Sequence, residues 1–246
     1  YAAMSDTPRT PGTLYMLPSP LDAATGTALD TPAAVRERAH QLDYFLVESA
    51  KSARATLKRL EHPTPLRELD IVELPPEKDG RLLRELLSPV LAGRSAGVIS
   101  DAGCPGVADP GALAARTAHT MGIPVAPLVG PSSILLALMA SGLNGQSFAF
   151  HGYLPVDESA RAKALAELEK QSQRLRQTQL FIETPYRNLR MFDAIRAHCR
   201  GDTLLCIAAA LTAPDQFIRT RPVAQWTAEE IGRIDRRPAL FLLLAG

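Results

Sequence analysis

Along the chain, short runs rich in β-formers alternate with stretches in which apolar residues recur at helical spacing. Gly12 to Leu17 reads as a first strand, ended by Pro18-Ser19-Pro20. Asp30-Thr31-Pro32 is a helix start, a capping side chain followed by proline in the first turn. Val35, Ala39, Leu42 and Leu46 follow at helical spacing, and a strand over Tyr44 to Glu48 overlaps the end of that pattern. Ala53, Leu57 and Leu60 mark another helix, and Leu66 to Leu74 a strand closed by Pro75-Pro76. Leu82, Leu83, Leu86 and Leu87 define a helix stopped near Pro89. A strand over Ala96 to Ser100, a helix over Ala112 to Met121 and a strand over Ile123 to Val129 come next. The turn Gly130-Pro131-Ser132-Ser133 then opens an apolar helix, Ile134 to Ala140.

After Gly142 the texture changes. Phe148 to Tyr153 is a short strand, Ala160 to Arg176 a long charged helix and Leu180 to Glu183 a strand, with Thr184-Pro185 opening the next helix. Leu204 to Ala210, Gln216 to Arg221 and Ala239 to Leu244 are further strands. The alternation predicts an α/β protein with a largely parallel sheet in at least one part. It places a boundary at about 130–145, giving two domains, 12–130 and 131–246. No internal repeat or low-complexity tract interrupts the pattern.

Composition narrows the class. A chain of 246 residues, 46% apolar and 22% charged, buries a core of one large domain or two small ones. No apolar run approaches the roughly 18–20 residues of a membrane span, and no basic segment precedes an apolar stretch. A cytoplasmic address without a membrane partner is therefore expected; the residues before Met4 read as an expression remnant. Cys104, Cys199 and Cys206 lack the spacing of a zinc site or a disulfide framework, so reduced thiols are expected. The five histidines show no ligand spacing either, and no metal site is predicted. The net charge of +1 announces no polyanionic partner, but residues 161–200 carry nine basic against four acidic side chains. Such a run is ordinarily the solvated face of a helix, and it is compatible with an RNA contact.

Ligands of open α/β sheets sit at the C-terminal ends of the strands. Three loops stand there: 18–22, 100–111 and 130–133. The second carries Gly103, Gly106 and Gly111, which allow close approach of backbone, with Asp101 and Asp109, and is stiffened by Pro105 and Pro110. Neither G-x-G-x-x-G nor G-x-x-x-x-G-K-[ST] occurs at these loops, which disfavours dinucleotide-dependent hydride transfer and P-loop NTPase chemistry. Composition and spacing reach only a small-molecule site on an α/β sheet.

Asp101-Ala102-Gly103-Cys104-Pro105-Gly106-Val107-Ala108-Asp109-Pro110-Gly111 resembles the S-D-A-G-T-P-G-x-x-D-P-G signature of the tetrapyrrole methylase superfamily. It is most similar to the ribosomal RNA small-subunit methyltransferase I branch, which methylates a cytidine ribose 2′-hydroxyl. Val129-Gly130-Pro131-Ser132, Ser141-Gly142-Leu143, Gly152-Tyr153-Leu154-Pro155 and Phe181-Ile182-Glu183-Thr184-Pro185-Tyr186-Arg187 resemble further motifs of that branch, in order, from about Gly12 to Gly246. The resemblance implies a two-domain fold, each domain a mixed sheet flanked by helices, with S-adenosylmethionine in the cleft between them and a homodimer as the usual assembly. Carried over by position, it implies that Pro20, Ile99, Ser100 and Asp101 border the cofactor with Cys104 close by. Ser132 and Ser133 fall on a contacting pair, and Glu183, Leu211 and Ala239 on three contacts from the second domain.

The chain departs from that branch at three places. It has Ser19-Pro20-Leu21-Asp22-Ala23-Ala24 for T-P-I-G-N-L, and Val47-Glu48-Ser49-Ala50-Lys51 for A-E-D-T-R. It also has Ala209-Ala210-Leu211-Thr212-Ala213 for a charged R-E-[LI]-T-K stretch. These changes mark a divergent paralogue. Methyl transfer is an in-line displacement that rests on alignment and exclusion of water. For a hydroxyl acceptor a carboxylate takes the proton, and Glu48, Asp101 and Glu183 are the candidates, Glu48 first. Asp101 reads more readily as a cofactor or loop-bracing contact, and Glu183 as a cap after Thr184-Pro185. The leading reading is an RNA ribose methyltransferase or a close relative acting on a ribosomal subunit. Methylation of a tetrapyrrole or other small acceptor is a second, and a cofactor-binding interaction module without turnover a third.

Overall fold

The computed structural model describes residues 10–22, 31–75 and 80–246, and the chain divides into two units at Pro131/Ser132. Asp30, expected to cap a helix, and Pro76, expected to close a strand, lie outside the described residues.

The first unit contains β1 (Leu14–Leu17), α1 (Ala33–His40), β2 (Tyr44–Val47), α2 (Ala50–Arg59) and β3 (Asp70–Glu73). It continues with α3 (Gly80–Leu91), β4 (Ala96–Ile99), α4 (Gly111–Thr120) and β5 (Val125–Pro127). The sheet has the order β3-β2-β4-β1-β5 with every pairing parallel, so the expectation of a mixed sheet here is corrected. The reason is burial on both faces, which suits strands that are apolar throughout. Leu14, Met16, Tyr44, Leu46, Ala96 and Val98 pack with Leu83, Leu87, Ala114 and Ala118 of α3 and α4. The alternate positions Leu17, Phe45, Val47 and Ile99 pack with Val35, Ala39, Ala53 and Leu57 of α1 and α2.

The overlap of helical and strand patterns near residue 44 resolves at His40, where α1 ends; Leu42 belongs to the same core from the connecting turn. Leu66 to Leu74 is not one strand: a 3-10 turn, Leu66–Glu68, precedes β3. Pro89 does not stop α3 either, which runs on to Leu91. The Glu85 carbonyl, deprived of the amide that residue 89 lacks, accepts the Ser88 hydroxyl at 2.7 Å instead.

The second unit holds α5 (Ser133–Ser141), β6 (Phe148–Tyr153), α6 (Glu158–Leu175), β7 (Thr178–Glu183) and α7 (Asn188–His198). After these come β8 (Leu204–Ala209), β9 (Phe217–Pro222), α8 (Ala228–Gly232) and β10 (Ala239–Leu244). Its sheet is mixed, in the order β6-β7-β10-β8-β9, with only β6 and β7 parallel. Phe181, Ile207 and Phe241 share a core with Leu165, Leu168, Met191 and Ile195 from α6 and α7. The apolar helix α5 packs against β8, β9 and β10. Asp157 starts α6 by accepting the Ala160 amide at 2.8 Å, as an N-cap carboxylate does.

Candidate functional site

In the first unit β1 and β2 lead into helices of one layer, α1 and α2, whereas β4 leads into α4 of the other. Connections that leave neighbouring strands toward opposite faces open a crevice at the strands' C-terminal ends. Around β4 that crevice is lined by the loops after β1, β2 and β4.

These loops are laced together. Ser19 and Gly103 form an isolated antiparallel bridge, Ser19 N–H to the Gly103 carbonyl at 2.9 Å and Gly103 N–H to the Ser19 carbonyl at 3.0 Å. The buried Ser19 hydroxyl donates to the Ser100 carbonyl at 2.7 Å. Gly103 has φ +72°, a left-handed conformation that glycine adopts without a Cβ penalty. Pro20 follows the bridge directly, while Ile99 and Ser100 are buried at the end of β4. Cys104 is half-buried, and its thiol donates toward the Pro131 carbonyl at 3.4 Å. Burial, reinforced by the charge of Asp109, pushes that thiol up from its ordinary value.

Three carboxylates gather at the same strand ends. Glu48 extends the β2–β4 ladder, its N–H donating to the Ile99 carbonyl at 3.0 Å, and its Oε2 accepts the Asp101 N–H at 2.9 Å. Burial is the main influence raising the Glu48 carboxyl above the usual glutamate value, and the charges of Asp101 and Asp109 add to it. The Asp101 amide opposes them. Asp101 is exposed, and its Oδ1 accepts the Ser52 hydroxyl. Asp109 faces inward to its own loop, accepting the Gly106 amide at 2.9 Å and the Gly111 amide at 2.6 Å. A depression of about 710 Å³ is lined by Glu48, Leu74, Pro75, Gly106, Asp109 and Ala112 among others.

The predicted positions of the second unit lie at the ends of its own elements. Ser132 caps α5 by accepting the Leu135 amide at 3.5 Å, and Ser133 is the first residue of that helix. Ala239 opens β10, where it pairs with Glu183 on one side and Ala209 on the other. Leu211 is buried two residues beyond β8, between Ala210 and Thr212, both of which have positive φ. Glu183, Ala239 and Leu211 therefore belong to one end of one sheet. Glu183 is buried, and its Oε1 accepts the Thr184 amide at 2.6 Å and the Arg187 guanidinium at 3.0 Å. It caps the turn after β7, as Thr184-Pro185 suggested, through Oε1.

Two participants escaped the sequence reading, and a third was seen there without its role. Ser52 sits one turn into α2, and only the sheet brings it to Asp101. Glu73, at the end of β3, accepts the Ala50 amide at 2.8 Å and so caps α2 in place of Ser49, whose side chain makes no cap bond. Asp109 was a candidate ligand group by composition, and the spacing Gly106-x-x-Asp109-x-Gly111 is the signal that it braces the loop. Among the described residues no group of three or more His, Cys, Asp and Glu side chains is placed to hold a metal, and no helix is long and apolar enough to cross a membrane.

No family model matches the chain. It is 30% identical to the ribosomal RNA small subunit methyltransferase I of Vibrio cholerae over 239 residues, 95% of this chain and 77% of that protein. It is 31% identical to the protein of the same description from Bacillus subtilis over 225 residues, 89% of this chain and 71% of the relative. Among solved structures its fold matches that of the methyltransferase CobJ with a TM-score of 0.61 at 17% identity, covering 96% of this chain and 100% of that one.

Proposed function

The chain belongs to the tetrapyrrole methylase superfamily, whose members use S-adenosylmethionine, and on that premise we propose that it methylates RNA, with a ribose 2′-hydroxyl of small-subunit ribosomal RNA as acceptor. The observation that carries the reading is its similarity, along 95% of its length, to a ribosomal RNA small subunit methyltransferase.

The residues at the β4 crevice fit the cofactor by their chemistry. A ligand carrying a sulfonium and an ammonium suits strand ends that bring Glu48, Asp101 and Asp109 together; burial is the main cause of the raised Glu48 carboxyl, and the two aspartate charges add to it. Pro20, Ile99, Ser100, Asp101 and Cys104 would border it from the first unit. Ser132, Ser133, Glu183, Leu211 and Ala239 are cofactor positions by the motif resemblance alone. When bound, it supplies an electrophilic methyl group.

The chain's own residues do the rest. The Ser19–Gly103 bridge and the Asp109 brace hold the loop in one shape, so alignment needs little reordering. Glu48 serves as general base: Oε2 is held by the Asp101 amide, and Oε1 enters no hydrogen bond among the described residues. It takes the proton of the acceptor hydroxyl, and a carboxyl raised by burial is better matched to that task than an ordinary one. Glu183, locked by Thr184 and Arg187, acts in positioning. The same reading takes the working form to be a cytoplasmic homodimer that meets a ribosomal subunit.

Two measurements test it. Calorimetry with S-adenosylmethionine should show stoichiometric binding. Labelled methyl groups should then enter the RNA of small subunits from cells lacking the protein. Binding without incorporation into RNA overturns the proposed acceptor, and absence of binding overturns the methyltransferase reading itself.

A further inference from the structure

In the second unit a cavity of about 450 Å³ lies between α6 and α7. Three guanidiniums line it: Arg161 from the first turn of α6, Arg187 from the turn after β7 and Arg190 from α7. Their states differ. Arg187 is paired with Glu183 at 2.9 Å. Arg161 donates from one terminal nitrogen to the Val156 carbonyl at 3.0 Å, while its Nε is buried without a partner. Arg190 enters no hydrogen bond or ion pair among the described residues. An under-satisfied guanidinium and an unpaired one at the same cavity are donors available to an oxyanion.

Two tyrosines stand close to these cations along the chain: Tyr186 immediately precedes Arg187, and Tyr153 ends the strand that leads to Val156 and Arg161. β6 and β7 run parallel with Tyr153 in register with Ile182, so the loops after both strands leave the same end of the sheet. Tyr153 is 59% exposed at the end of β6, and Tyr186, directly before Arg187, is 82% exposed. A single exposed tyrosine is ordinary surface; two at neighbouring strand ends, flanking a cluster of arginines, are not scattered.

We propose that this surface holds a single-stranded segment of RNA, with bases stacked on Tyr153 and Tyr186 and phosphate on Arg161 and Arg190. The inference rests on the RNA reading above and names where such a substrate would be gripped. Duplex recognition calls for a long row of cations facing the phosphates, whereas a short cationic cluster beside exposed rings is the arrangement that holds single strands. Glu158 and Asp193 also line the cavity and Glu183 pairs with Arg187, so the three guanidiniums are matched by three carboxylates. That leaves stacking, with hydrogen bonds from ribose hydroxyls or base amino groups to the two carboxylates, to carry much of the grip.

The test is fluorescence anisotropy of the full chain with a labelled, mixed-sequence single-stranded oligoribonucleotide, with the same strand in a duplex as control. Tyr186→Ala should weaken single-strand binding about fivefold or more, and Tyr186→Phe, which keeps the ring, should restore it. Arg190→Ala should also weaken it and flatten the dependence of log affinity on log salt by roughly 0.7. S-adenosylmethionine binding should be unchanged in all three variants, which also verifies that they fold. No binding of the single strand, tighter binding of the duplex, or wild-type affinity in both Tyr186→Ala and Arg190→Ala overturns the surface. Methylation of subunit RNA that proceeds unchanged in those two variants overturns the surface but leaves the RNA reading standing. Failure of the wild-type chain to methylate subunit RNA overturns that reading itself.

Discussion

The Asp101 amide points at the carboxylate of Glu48, 2.9 Å from Oε2, and so joins the end of β2 to the loop after β4. One residue thereby couples the base candidate to the glycine-rich loop: the backbone of Asp101 orients Glu48, while its side-chain charge helps to raise the Glu48 carboxyl. Glu48→Gln keeps an acceptor for that amide and removes the base. Turnover should fall by roughly 10²- to 10⁴-fold with S-adenosylmethionine binding retained, measured by single-turnover methyl transfer and calorimetry. Full turnover would remove Glu48 from the mechanism.

The raised Glu48 carboxyl has opposite consequences for activity and stability. The base must be ionised, so the rate should fall as pH drops through the raised Glu48 value. The folded state binds this proton more tightly than the unfolded chain does. Its contribution to stability is therefore present below the unfolded value and lost as pH rises through the folded one. Glu48→Gln should be at least as stable as the wild type at neutral pH, with that pH dependence removed; denaturant titrations at several pH values check both.

Asp109 satisfies two loop amides at once, those of Gly106 and Gly111. Asp109→Ala leaves both without that acceptor and should cost about 1–3 kcal/mol by urea unfolding. Weaker cofactor binding should accompany it. A variant with unchanged stability would show that the brace is dispensable.

At the buried end of β7, Arg187→Ala should cost about 2–4 kcal/mol, because it leaves Glu183 with its charge out of water and without a cation. The partial exposure of Arg187 keeps the expectation at the modest end. Thermal unfolding of the variant, compared with Arg187→Lys, reads the effect.

All three thiols are raised by burial. Cys199 is pushed up to about 12, with Glu169 adding to the effect, and Cys206 to about 11, against a lowering hydrogen bond with Thr220. Cys104 is raised as well, by burial and the charge of Asp109. The native protein should therefore alkylate slowly at pH 8, where a free thiol is substantially ionised, and quickly once unfolded. Peptide mapping by mass spectrometry follows each site, and rapid native labelling of Cys206 would contradict the packing.

Short-range patterns located most elements. β6 and β10 fall where the sequence pattern places them, and β10, paired on both sides, needs little beyond a continuous apolar segment. The miss at Pro89 has a local cause: a serine hydroxyl replaced the absent amide, a substitution that periodicity does not weigh. The miss over Leu66–Leu74 is of the same kind, since apolar spacing does not separate a 3-10 turn from the strand that follows it.

The sequence alone determined the α/β alternation, the glycine-rich loop after β4 and, through its ordered motifs, the superfamily to which the chain belongs. Those features are local or linear, and they survive in a string of letters. Tertiary structure alone decided what the loop's carboxylates do. Ser52 and Glu48 reach Asp101 across 49 and 53 residues of chain, and Ser19 reaches Ser100 across 81. Parallel pairing of β1, β2 and β4 is what brings those strand ends side by side. It leaves Glu48 with one oxygen that enters no hydrogen bond among the described residues. Hydrogen-bond partners separated by that much chain are chosen by strand order and register, which no local pattern of residues specifies.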